Sequence, residues 1–317
     1  MLSRRDYRTT GAVLSQPIRS LPVAPAERTK PQQIVRGFTY RGAVPDDAPG
    51  TAQPAGWTEL RALVRAQQPV LSAPRASGAG PRGAGLCLVC HGPPGQGSPL
   101  CFQCDLHRQC AEGSLADVVV PVAFAVKGSP HARQLWQYKS ARLSAAARAA
   151  PATMLRALLL VFLRDHGPCI WRAAGIEWRA AGIGAPTQLA VVPTARGRQG
   201  MHPLRALIGP YLTAPWAELA ARPGGEQARD LDPGRFAATV LPGARVLLID
   251  DTWTTGSSAQ SAAMALRRAG ARSVATVVLG RHVGLAAAAR TGLGPAAMPF
   301  RPWSCAVHDD HVVAPSP

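Results

Sequence analysis

The sequence predicts an α/β protein: a parallel sheet flanked by helices, preceded by a small zinc ribbon. Three observations carry that expectation. Short, nearly continuous apolar runs at 188–192, 245–250 and 273–279 read as strands buried on both faces. Segments with helical periodicity stand between them, the order expected of a covered parallel sheet. Upstream, two CxxC pairs stand ten residues apart.

Composition agrees with this class. Of 317 residues 47% are hydrophobic, enough for a sizeable core, whereas Gly (31) and Pro (30) are too frequent for a helical bundle. Length alone suggests about two domains. No uncharged apolar stretch approaches 18 residues, and one of the longest, 157–163, is bracketed by Arg156 and Arg164, so no membrane span is expected. The basic N-terminus has no continuous apolar core, so no secretory signal is expected and the setting is read as cytoplasmic. The formal net charge is +17, and only Lys30, Lys127 and Lys139 are lysines. Two explanations stay open: codon usage that spells cations as Arg, or a basic surface for anionic partners such as nucleotides, pyrophosphates or DNA.

Three regions are expected along the chain. Residues 1–80 form a mostly disordered Pro/Ala/Arg-rich extension. One helix is expected there, at 57–66, with Trp57, Leu60, Leu63 and Val64 at helical spacing. Residues 81–113 form the zinc ribbon, and 114–317 form the α/β domain. In that domain 117–126 reads as a strand pair or a strand bent at Pro121. Helices are expected at 131–139 and at 152–165, the second with Leu155, Leu158, Leu159 and Phe162 on one face. The tandem heptads at 171–177 and 178–184 are too few for a solenoid. Strands at 188–192 and 245–250 follow, then a helix at 257–269 closed by Gly270 and a strand at 273–279.

Two clusters carry chemistry. Cys87, Cys90, Cys101 and Cys104 form CxxC, ten residues, CxxC. In a cytoplasmic chain this spacing reads as structural zinc, because each CxxC turn offers two thiolates and the metal takes four in a tetrahedron. His91, His107 and Cys110 are close in sequence but not needed. The second cluster is the run VLLIDDTWTTGSS at 246–258. A strand ends in Asp250 and Asp251, and a hydroxyl-rich loop then opens a helix. Strand ends of this kind face the ligand crevice of an open sheet, and the helix N-terminus can cradle a phosphate. Thr254, Thr255, Gly256, Ser257 and Ser258 would surround that phosphate. The two carboxylates would hold ribose hydroxyls or Mg2+. The implied ligand is a ribose 5-phosphate unit. Trp253 is read as a packing residue before a nucleobase-stacking one, and Lys139 as a surface helix residue. Cys305, His308 and His311, at three-residue spacing, are read as a polar tail, with a metal site as the alternative.

The run IDDTWTTGSS at 249–258 resembles the phosphoribosyl pyrophosphate (PRPP) motif of type I phosphoribosyltransferases. With the double CxxC ahead of it, the chain resembles the ComF-like branch, associated with competence and DNA uptake. HARQLWQYK at 131–139 is similar to the branch's Lys-containing helix, though Tyr precedes Lys here. LAVVPTARGR at 189–198 is similar to its pyrophosphate-loop strand. The usual Arg-Gly-Phe-Asn is replaced by GMHPLR at 200–205. The resemblance spans about residues 87–280. It implies that Asp250, Asp251 and Arg196 are catalytic, that Thr194 and Ala195 contact pyrophosphate, and that Thr254–Ser258 bind the 5-phosphate of Mg2+-PRPP. The family's hydroxypurine enzymes carry an Asp two residues before the loop Gly, where this chain has Thr254. The reaction implied is phosphoribosyl transfer to an unidentified acceptor. The alternative is a non-enzymatic PRPP- or nucleotide-binding accessory in DNA processing, using a basic, zinc-ribbon-containing surface for nucleic acid or protein partners. Oligomeric state is not encoded legibly.

Overall fold

In a computed structural model, residues 55–75, 85–111, 113–175, 185–194, 200–222 and 230–309 are described. They lie within one compact unit, Arg36–Pro317. Among them is a parallel sheet of four strands: β1 (Val118–Val126), β2 (Gln188–Val191), β5 (Arg245–Trp253) and β6 (Ser273–Val283). The spatial order is β1-β6-β5-β2, parallel at each pairing. The expected strands are thus present, and β5 and β6 extend past the apolar runs.

Both faces are buried, which is why the strands read as continuous rather than alternating. Leu247 and Ile249 of β5, with Ala275, Val277 and Leu279 of β6, enter one core with helix α4 (Ala145–Ala173). Val246 and Leu248, with Val274 and Val278, enter a second core with helix α6 (Ser257–Arg268). The route from β1 to β2 crosses the sheet in one direction, and that from β5 to β6 returns in the other. Right-handed crossovers then require α4 and α6 on opposite faces, as they are.

β1 is one strand, not two. Pro121 is tolerated because β1 is an edge strand, where a missing N–H need not break a ladder. Helix α4 runs 29 residues, well past 152–165 at both ends, with Pro151 and Pro168 inside it. It is long and apolar enough to cross a membrane by composition. Here Leu155, Leu158, Leu159 and Ile170 are fully buried against the sheet and α1 (Ala55–Gln67). Helix α1 is the one expected at 57–66, and the chain after it stays docked. Phe124 N–H donates to Ser72 O at 2.7 Å and Ala73 N–H to Met298 O at 3.1 Å. Part of the region expected as an extension therefore belongs to the core. The first heptad of the repeat begins inside α4 at buried Trp171; the second lies outside the described residues.

Helix α2 (Phe102–Cys110) follows the cysteine segment, and α3 (Pro130–Gln137) follows β1 with Ser129 as its N-cap. Helix α5 (Pro203–Ile208) and the antiparallel pair β3 (Glu218–Ala221) and β4 (Phe236–Thr239) stand between β2 and β5. Helix α7 (Leu285–Thr291) follows β6. The tail expected to be polar instead contains a hairpin, β7 (Ser304–Cys305) with β8 (His308–Asp309), and Cys305 is buried.

Candidate functional site

The site is set by register. Val191 of β2 faces Ile249 of β5, and Val192 N–H donates to Ile249 O at 3.0 Å. Pro193 and Thr194 therefore leave the sheet beside Asp250 and Asp251. Ala195 and Arg196 lie outside the described residues.

Asp251 is buried and doubly held. Lys139 Nζ donates to both carboxylate oxygens at 2.7 Å, and Tyr138 Oη donates to Oδ2 at 2.5 Å. Burial alone would raise its pKa, but the Lys139 charge and these hydrogen bonds outweigh it, so the carboxyl sits below its usual range. Asp250 is pushed the other way, up to about 7, first by burial and then by the neighbouring Asp251 charge. Its Oδ1 accepts from Asp251 N–H at 2.8 Å. Tyr138 and Lys139 follow the last turn of α3. That helix is docked by buried Leu135 and by a 3.0 Å hydrogen bond between His131 Nε2 and Leu279 O. Lys139, expected as a surface residue, is thus the counter-ion of the site.

The loop after β5 has the expected shape. Gly256 adopts φ 86°, a left-handed conformation that favours glycine, and a Cβ there would stand 2.0 Å from the Trp253 ring. Trp253 is the packing residue expected; it is fully buried beneath the loop. Gly256 is also the N-cap of α6 and offers no side chain to cap it. Ser257 N–H makes a long bond of 3.4 Å to Thr255 Oγ1, and the other first-turn N–H groups remain for an anion. Thr254 is exposed at the mouth and Thr255 is partly so. Thr255 Oγ1 and Ser257 Oγ share a hydrogen bond of 2.9 Å. Ser258 Oγ instead accepts from buried Arg235 at 3.1 Å, so Ser258 ties β4's approach to α6.

Buried Arg281 was not singled out by sequence. Its Nη1 donates to the carbonyls of Trp253 and Thr254, each at 3.2 Å, and to His282 O at 2.5 Å. On its other side Gly92 packs so closely that a Cβ would lie 2.5 Å from Nη2. One guanidinium therefore joins the cysteine segment to the carbonyls that shape the loop at 253–256. The available signal was an Arg interrupting an apolar strand.

Cys87, Cys90, Cys101 and Cys104 converge, with their sulfurs all within 4.8 Å of one another and Cys90 and Cys101 at 3.7 Å. Sulfurs about 2.3 Å from a tetrahedral zinc stand about 3.8 Å apart, so the set matches that metal. Four thiolates need a cation. Hydrogen bonding within the set lowers Cys87, chiefly through Cys101, and lowers Cys101 to about 7, chiefly through Cys104. The same bonds, led by those to Cys101, raise Cys90 and Cys104. Arg281 adds a favourable charge near Cys90. The first pair lies in a turn and the second opens α2, with Cys101 at its N-cap. The ten residues between the pairs run through turns rather than a strand hairpin. His91, His107 and Cys110 stay outside the cluster. His91 is buried, and burial lowers its pKa to about 4.

Comparison of the chain with protein-family models, with curated proteins and with solved structures found no match. Its chemistry is therefore read from the site itself.

Proposed function

We propose that the carboxyl edge of β2 and β5 binds Mg2+-PRPP and supports phosphoribosyl transfer, as the ComF-like resemblance implies. The observation that carries this reading is the adjacency of Asp250, Asp251, the glycine-capped N-terminus of α6 and the Pro193-Thr194 exit on one sheet edge. The first-turn amides of α6, with the Thr255 and Ser257 hydroxyls, hold the 5-phosphate. Asp251, kept ionised by Lys139, accepts from the ribose hydroxyls. Asp250 is the carboxylate placed for Mg2+, an ion often held by one or two carboxylates plus substrate phosphates. When bound, that ion neutralises charge on the pyrophosphate leaving group. Lys139, about one-third exposed, adds a cation near the anionic ligand. Positioning and charge complementarity are what these residues supply to an oxocarbenium-like transition state.

The Cys87, Cys90, Cys101 and Cys104 site holds structural zinc in this reading. It braces the loop through Gly92 and Arg281 rather than taking part in chemistry, because four thiolates leave the metal no open position.

A second reading, PRPP or nucleotide binding without turnover, is favoured by exposed Thr254, which offers no acid or base at the hydroxypurine enzymes' position. Such a protein would serve DNA processing through its basic surface.

Calorimetric titration of the zinc-replete chain with Mg2+ and PRPP tests the shared premise. Saturable binding lost in Asp251→Asn is expected. No binding by the wild type overturns both readings. If binding holds, PRPP-dependent pyrophosphate release with acceptor candidates separates them.

A further inference from the structure

A second group of soft ligands lies away from this site, where α4 meets the β7–β8 hairpin. His166 and Cys169 stand one turn apart on α4, and Cys305 of β7 faces them from 136 residues away in sequence. Cys169 Sγ is 3.7 Å from Cys305 Sγ and 3.8 Å from His166 Nδ1, and the three ligand atoms lie within 4.8 Å of one another. These are edge lengths of a tetrahedral zinc site, where S···S is about 3.8 Å and S···N about 3.6 Å. The Cys90–Cys101 edge of the four-cysteine cluster is the same 3.7 Å.

The histidine is prepared as a ligand. Its Nε2 lies 2.8 Å from Pro302 O, a group that can only accept, so that nitrogen carries the ring proton. In the neutral ring Nδ1 then presents a lone pair toward the sulfurs, as metal-bound histidines are commonly oriented by a backbone carbonyl. Phe162, one turn earlier, packs against the ring with centroids 4.8 Å apart and the planes tilted by 46°. A fourth donor stands beside the group by register, although its ring nitrogens are not among the ligand atoms that lie within 4.8 Å of one another. His308 pairs directly with Cys305 across the hairpin, so the two side chains project to the same face. The sequence thus contains His-x-x-Cys on the helix and the reversed Cys-x-x-His on the hairpin.

We infer that His166, Cys169 and Cys305 form a second metal site, selective for zinc, that staples the β7–β8 hairpin to α4, with the His308 ring turning in as the fourth ligand of a tetrahedron. Binding releases the two thiol protons. Two thiolates, two neutral imidazoles and one divalent cation then sum to no net charge, which suits a buried position. Nitrogen and sulfur donors in a tetrahedron favour zinc over magnesium or calcium.

The test is metal stoichiometry of the full-length chain by mass spectrometric elemental analysis, with thiol accessibility alongside. Two zinc ions per chain are expected, falling to one in Cys169→Ser and in Cys305→Ser. A variant-free measurement covers the case where those chains fail to fold. Cobalt loading of the wild type should give two absorption signatures, one of a four-thiolate site and one of a two-thiolate, two-nitrogen site. One metal per chain, with a Cys169–Cys305 disulfide two mass units lighter or with both thiols open to maleimide, overturns the inference. So does a folded Cys169→Ser/Cys305→Ser double variant that still holds two.

Discussion

Lys139 Nζ lies 2.7 Å from both carboxylate oxygens of Asp251, with Tyr138 closing the same carboxylate from the other side. One of only three lysines in the chain is the counter-charge at the centre of the candidate site. The pair joins two elements distant in sequence, the end of α3 and the end of β5. It also separates the chemistry of two adjacent aspartates.

Replacing Lys139 with Met should destabilise the fold by about 1–2 kcal/mol at pH 7, because Asp251 stays buried while losing its cation. The figure is below that for a fully buried pair because Lys139 is partly solvated. The Asp251 pKa is lowered from 3.8 in the folded chain. Its contribution is therefore present above that unfolded value and lost as pH falls through the lower folded value. Denaturant melts at pH 7 and pH 3 should find a wide gap between wild type and variant at the first and a narrower one at the second. An equal gap at both would mean Lys139 contributes by packing.

Asp250 has the opposite sign. Its folded pKa of about 7 lies above the unfolded 3.8. The folded state holds the proton longer, so stability is fully present below 3.8 and is lost as pH rises toward 7. Asp250→Asn should be near neutral at pH 4 and should stabilise the ligand-free protein by about 1–2 kcal/mol at pH 8. The same variant should weaken Mg2+-dependent PRPP binding. Thermal melts at the two pH values, with and without ligand, check both halves.

Stripping metal from the four-cysteine cluster should reach the loop at 253–258 through Gly92 and Arg281. Amide hydrogen exchange at 253–258 is expected to rise after chelation and to return with zinc. Arg281→Met should reproduce the rise with zinc still bound and lower PRPP affinity about tenfold, or about 1.4 kcal/mol. Arg281→Lys should not restore it, since a single ammonium cannot both take the place of Nη1 on these carbonyls and keep the Nη2 contact with Gly92. Unchanged exchange in the stripped protein would separate the two sites.

The strands were legible because burial on both faces leaves an apolar run that periodicity cannot disguise. The loop at 254–258 and the four cysteines were legible because their spacing is local. What sequence hid is what depends on contact between distant segments. Lys139 read as a surface residue because nothing local links it to Asp251. Arg281 was lost among many arginines. The pairing of Cys169 with Cys305 needs α4 and the hairpin side by side. Helix α4 itself outran its apolar stripe, since its first turns carry mainly Ala and include Pro151, which periodicity does not flag.

Gly256 and Trp253 should behave as one unit. Gly256→Ala puts a Cβ on a left-handed residue, costing about 1 kcal/mol, and drives that carbon into the indole. Steric relief by loop movement adds about 1–3 kcal/mol. Trp253→Ala alone should cost about 3–5 kcal/mol, since it empties a fully buried site. In the double variant the clash no longer exists, while the backbone strain does. Its destabilisation should therefore fall short of the sum of the singles by about the steric part, 1–3 kcal/mol, measured as a double-mutant cycle in denaturant. Strict additivity would mean that the loop avoids the ring by a different route. The close packing of Gly256 on Trp253 would then not be what holds the α6 N-terminus in its ligand-accepting shape.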